Sequence, residues 1–133
     1  MTYGISVRLA APADEVLDRV RRALATQGFE ILTEFDLRHA LRTRLGEDSE
    51  PYVVLGACDP GLAHRLLTED RRLGLVLTCT VVVRGDGEET VVDALDPQVM
   101  VNVPERPSLR PVADEAGRKL RTALDSLTAS ASG

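Results

Sequence analysis

The sequence predicts an α+β domain: an antiparallel sheet with helices packed on one face. Three observations predict it. Segments of period-two hydrophobicity alternate with segments of helical period along the chain. Two strand segments are joined by Gly85-Asp86-Gly87, a hairpin signal that makes neighbours antiparallel. The length, 133 residues with 44% hydrophobic, suits one domain with its own core rather than two. The order of elements reads β-α-β-(α)-β-α-β-β-α over a single domain, residues 1–133.

Tyr3, Ile5, Val7 and Leu9 alternate with Gly4, Ser6 and Arg8, a strand with one buried face that Pro12 ends. From Ala13 the period changes: Val16, Val20, Ala23 and Leu24 share a helical face. Acids Asp14 and Glu15 lie early and Gly28 follows as the C′ residue. Glu15–Arg19 and Asp18–Arg22 are i,i+4 pairs on the wet side. Phe29, Ile31 and Phe35 are expected on one side of a second strand. Asp36 caps a short helix of Leu37, Ala40, Leu41 and Leu45 that Gly46 stops. Tyr52–Leu55 is uniformly apolar and belongs inside the sheet. Asp59-Pro60 starts a helix with Leu62, Ala63, Leu66 and Leu67 as its dry face. Gly74 opens the longest strand, Leu75 to Arg84, and Thr90–Leu95 follows the hairpin and ends at Asp96-Pro97. Val99–Val103 reads equally as a short strand or a turn. A last helix, 108–129 with Ser108 as cap, carries the stripe Val112, Ala116, Leu120, Ala123, Leu124 and Leu127; residues 130–133 are expected to fray.

The charge pattern narrows the partners. Lys119 is the only lysine beside fifteen arginines, and the net charge is −5. The arginines are interleaved with acids, and with four aromatic residues there is little to stack on bases, so nucleic acid is not expected. No apolar run is long enough for a membrane span. Met1–Val7 has neither the basic nor the apolar part of a signal peptide. Two cysteines in such a chain read as thiols of a reducing cytoplasm.

Chemistry is concentrated in Gly56-Ala57-Cys58-Asp59-Pro60. Cys58 stands before a helix N-terminus, where free N–H groups and the helix dipole favour a thiolate, while Asp59 opposes it. Cys79 lies within the Leu75–Arg84 strand, and if that strand pairs with Tyr52–Cys58 the two sulfurs face one another. His64 lies one turn into the helix. Three readings stand side by side. The first is a small-ligand or soft-metal site using Cys58 and Cys79, with His64 and Asp59 nearby. The second is a thiol-dependent enzyme or redox protein with Cys58 as nucleophile and His64 as base. In the third, both cysteines fill space, His64 is a surface residue, and the chain is an interaction module. The separation of the cysteines matches no zinc-finger or thioredoxin-like pattern, and no phosphate loop, serine elbow or HExxH is present. The sequence names no cofactor.

Leu32-Thr33-Glu34-Phe35-Asp36, Leu45-Gly46, Leu55-Gly56-Ala57-Cys58-Asp59-Pro60, Ala63, Leu66-Leu67, Gly74-Leu75, Cys79 and Asp96-Pro97 together resemble the family called domain of unknown function 302. The resemblance spans about residues 3–100. It implies a curved sheet in a TATA-binding-protein-like β-α-β(4)-α arrangement and a small protein that is often a homodimer. The family pattern is similar to Gly-Ala-Cys-Asn-Pro and Leu-Leu-Pro-Cys. Here Asp59 stands for the Asn and Thr78 for the Pro.

Overall fold

The computed structural model describes residues 4–132, with side chains described for 4–128; Tyr3, expected on the first strand, and Gly133 lie outside. The elements are β1 (Gly4–Leu9), α1 (Ala13–Thr26), β2 (Glu30–Asp36), α2 (Leu37–Leu45), β3 (Tyr52–Cys58), α3 (Pro60–Glu69), β4 (Cys79–Asp86), β5 (Glu89–Leu95), α4 (Val99–Asn102) and α5 (Arg110–Ser132). Short 3₁₀ turns occupy Arg71–Val76 and Pro107–Leu109. The five strands form one antiparallel sheet in the order β1-β5-β4-β3-β2. The α+β class is therefore the observed one, and β3 and β4 are interior strands.

One face of the sheet carries the main core. Leu55, Ala57, Cys79, Val81, Val83, Val92 and Ala94 alternate onto it and meet Val16, Val20 and Leu24 of α1 and Leu120, Leu124 and Leu127 of α5. Each fully buried Val or Leu among them contributes about 1.5–3 kcal/mol. A second core lies beside it, where Leu62 and Leu66 of α3, Leu73, and Met100 and Val101 of α4 pack on Val112, Ala113 and Ala116 of α5. Thr90 is buried, and its hydroxyl is satisfied by donating to the Ala11 carbonyl at 2.7 Å.

Local signals worked where capping chemistry decided the boundary. Asp36 accepts from His39 N–H at 2.9 Å, and Gly46 ends α2 at φ +68°. Gly28 follows α1 at φ +88°, and Glu15–Arg19 pairs at 2.7 Å. The predicted Asp18–Arg22 pair is replaced by Asp18–Arg21, because Arg21 also reaches Glu34 of β2.

Other expectations fail for identifiable reasons. The long strand from Leu75 does not form; β4 begins at Cys79, preceded by the 3₁₀ turn. The register Val81↔Ala94 would set Thr78 opposite Pro97, so the partner strand has ended there and Pro97 has no N–H to give. Asp70 caps the turn by accepting from Arg72 N–H at 2.9 Å, Leu73 plugs the second core, and Leu75 is left 92% exposed. Phe35 is not on the side of Ile31. The β2–β3 register shifts between Ile31 and Thr33, and one extra residue reverses the alternation. Ile31 then shares the face of Ala57 while Phe35, opposite Val54, is 52% exposed. α2 forms but buries none of its residues, and Leu67 of α3 is exposed. Val99–Asn102 is helical, with Met100 and Val101 buried. Ser108 does not cap α5; its hydroxyl donates to Glu69, and the helix begins at Arg110 and continues to Ser132, past 129.

Candidate functional site

β3 and β4 do pair, and they carry the two cysteines to the same end of the sheet. The register sets Cys79 opposite Ala57, so Cys58 lies one residue past that pair and the sulfurs are not directly opposed. Both are buried, free thiols. Cys79 belongs to the main core on the helix-covered face. The glycine of the motif has a steric reason. A Cβ on Gly56 would stand 2.4 Å from Thr33 Oγ1 and 3.2 Å from Thr78 Cγ2. The bulged part of β2 and the residue before Cys79 thus close over Gly56, where any side chain would force Thr33 to shift.

Asp59 has taken the donors that Cys58 was expected to use. Its Oδ1 accepts from Gly61 N–H at 3.0 Å and Leu62 N–H at 3.3 Å, the free amides of α3. Its Oδ2 accepts from Lys119 Nζ of α5 at 2.6 Å. Burial pushes the Asp59 carboxyl up, but the hydrogen bonds from Lys119, Leu62 and Gly61 outweigh it and hold it below the usual carboxylate range. Asp59's hydrogen bond in turn holds Lys119 above the ordinary lysine range. Glu115 Oε2 stands 3.5 Å from the same ammonium.

The thiols are consequently in the wrong electrostatics for activation. Burial, then the charges of Asp59 and Glu30, push Cys58 up. Burial, then Cys58 and Asp59, push Cys79 up to about 11. Of the two opposing influences the sequence offers at Cys58, the helix terminus is occupied by Asp59, and burial and the negative neighbours raise the thiol. His64 is exposed on α3, and its carbonyl accepts from Thr68. Among the described residues no three of His, Cys, Asp and Glu come together to hold a metal ion. Sequence reasoning missed Lys119, although one lysine among fifteen arginines was a signal that composition carried.

Cys79 also lines a cavity of about 240 Å³ at the end of β4 and β5. Its walls include Val76, Leu95, Val99 and Met100, with Thr78, Thr80 and Asp96 as the polar members. On the sheet face opposite α1 and α5, Asp93 accepts from Ser6 and, at 2.8 Å, from Arg84 Nε, beside a wider hollow lined by Tyr52, Val82 and Leu95. None of the described helices is long and apolar enough to cross a membrane.

These features define a small α+β domain with a largely apolar cavity and two buried, unactivated thiols. The chain belongs to the family described as Domain of unknown function DUF302, which it matches over residues 5–127. That match includes most of α5, beyond the span the sequence motifs suggested. The chain is also similar to the crystal structure of an uncharacterised conserved DUF302 protein from Bacillus stearothermophilus. The TM-score is 0.87 at 26% identity, over 94% of this chain and 98% of that chain. No curated protein matches it.

Proposed function

We propose that the chain is a cytoplasmic binding domain rather than a catalyst, that it takes a small and largely apolar ligand in the cavity beside Cys79, and that it works as a homodimer. The observation that carries the reading is the cavity itself: mostly aliphatic walls, a few convergent polar groups, and a thiol that stays neutral until about pH 11. A neutral thiol packs against apolar matter as a small hydrophobe and donates only weakly. A thiol-dependent enzyme is less supported, since neither cysteine has a base or a helix terminus to itself. A metal at Cys58 and Cys79 would have to displace protons from two thiols whose surroundings favour keeping them. Two free cysteines fit a reducing compartment. The dimer is supported by apolar side chains left in water on the edge strand β2, Leu32 and Phe35.

The test of the site combines two measurements on one preparation. Chemical-shift mapping with indole and toluene as neutral apolar probes should move Val99, Met100 and Cys79 resonances, and Thr80→Trp, which puts a large ring in the cavity wall, should abolish the shifts. Iodoacetamide alkylation should still be accelerating above about pH 8.5. A rate plateau below that pH would identify an activated thiolate and replace this reading with the enzymatic one. Stoichiometric metal after purification without chelator would replace it with a metal site.

A further inference from the structure

Along α5, Asp114, Gly117, Arg118 and Arg121 fall at i, i+3, i+4 and i+7 and so share one stripe of the helix. Together with Asp96 and Gln98 they line a hollow of about 340 Å³. Gly117 is part of its wall. A mid-helix glycine costs about 1 kcal/mol relative to alanine, yet a Cβ at this position would meet nothing within 4 Å. No packing within the domain requires the glycine, and its effect is to leave the space over the helix open.

The charges around that space are held apart. Asp114 and Arg118 have the i,i+4 spacing and the acid-first order that favour an ion pair, but none forms. Instead Gln98 Nε2 donates to Asp114 Oδ1 at 2.7 Å, and the Gln98 backbone N–H donates to Asp96 Oδ1 at 2.9 Å. One glutamine thus fixes both carboxylates through one oxygen each and leaves the second oxygen of each uncommitted. The guanidinium groups of Arg118 and Arg121, which line the same hollow, make no ion pair or hydrogen bond among the described residues, as is also true of Arg22, Arg38, Arg44, Arg71 and Arg110.

We propose that this hollow binds a small zwitterion of the free α-amino acid class. The ligand ammonium sits on the free oxygens of Asp96 and Asp114, and its carboxylate takes the guanidinium forks of Arg118 and Arg121, which match a carboxylate in two parallel bonds. A simple anion would face two carboxylates and a simple amine two guanidiniums, so the site rejects ligands carrying one charge. The inference is independent of the Cys79 reading. Asp96 borders both cavities, but Asp114 and Arg121 border only this one.

Isothermal titration of the full chain with each of the common free amino acids tests it, with propionate and ethylamine as single-charge controls for alanine. At least one amino acid should bind, and both controls should be weaker by about tenfold or more. Arg121→Gln and Asp114→Asn should each lower that affinity by about tenfold without changing the thermal midpoint, since both side chains are exposed. Absence of binding by every amino acid, affinity unchanged in both variants, or propionate binding as tightly as alanine would each overturn the proposal, the last by making the hollow a plain anion site.

Discussion

Lys119, the only lysine of the chain, stands 2.6 Å from Asp59, the residue that caps α3 and follows Cys58. The pair bridges the helix that leaves the cysteine motif and the helix that closes both cores. Asp59 is only 11% exposed and Lys119 31%, so the contact is partly shielded from solvent. Asn caps a helix as well as Asp does, so Asp59→Asn removes the ion pair and keeps the cap. We expect Asp59→Asn and Lys119→Met each to cost about 1 kcal/mol, reduced from buried-pair values because the ammonium still meets water. In a double-mutant cycle by urea denaturation the two should couple by about 0.5–1 kcal/mol. Simple additivity would show that the pair contributes nothing. Because the Asp59 carboxyl is held down in the folded state, its contribution is present above its unfolded pKa of about 3.9 and fades as pH falls through the lower folded value.

Gly56→Ala should be destabilising by about 1–3 kcal/mol, the usual cost of overpacking. The added methyl would fall 2.4 Å from Thr33 Oγ1 but at an ordinary contact distance, 3.7 Å, from Thr33 Cβ. Thr33→Ala in the same chain should therefore restore most of the loss, read as a shift in the urea midpoint. A double variant no more stable than Gly56→Ala alone would place the strain at Thr78 instead.

Alkali should weaken the fold through Cys79. The unfolded thiol ionises near pH 8.5, while the folded one holds its proton until about 11. Between those values the unfolded state sheds a proton that the folded state keeps, so stability falls as pH rises across the window. Thermal midpoints of the parent and of Cys79→Ala, measured from pH 8 to 11, should converge, with the parent showing the steeper decline. Parallel curves would mean that Cys79 is not shielded.

Light scattering should report a dimer at about tens of micromolar, an affinity regime reached by modest interfaces. Phe35→Lys, placing a charge on an already exposed position of β2, should shift it toward monomer. A monomeric parent protein would remove the dimer from the proposed function.

The elements legible in the sequence are those governed by chemistry within a few residues. Asp36 and Gly46 bound α2, Asp59-Pro60 starts α3, and Gly87, at φ +64°, turns the hairpin; each acts on backbone groups at most four residues away. Leu75 illustrates the opposite case. Leu75-Val76-Leu77 has the composition of a strand, but a strand needs a partner, and whether Pro97 would stand opposite is a fact about register. Phe35 is similar, since a single bulge between Ile31 and Thr33 moved it to the other face and no residue type announced the bulge.

The sequence by itself determined the α+β class, the caps Asp36 and Asp59, and the segment around Cys58 as the place to look. Only the tertiary structure decided what that segment is. It put Lys119 on Asp59 across sixty residues of chain, set Cys79 opposite Ala57 rather than Cys58, and left His64 in solvent. Local propensity is a property of neighbouring residues and travels with the sequence. Thiol ionisation and ligand geometry depend on burial and on charges brought from distant elements, which exist only once the chain has packed.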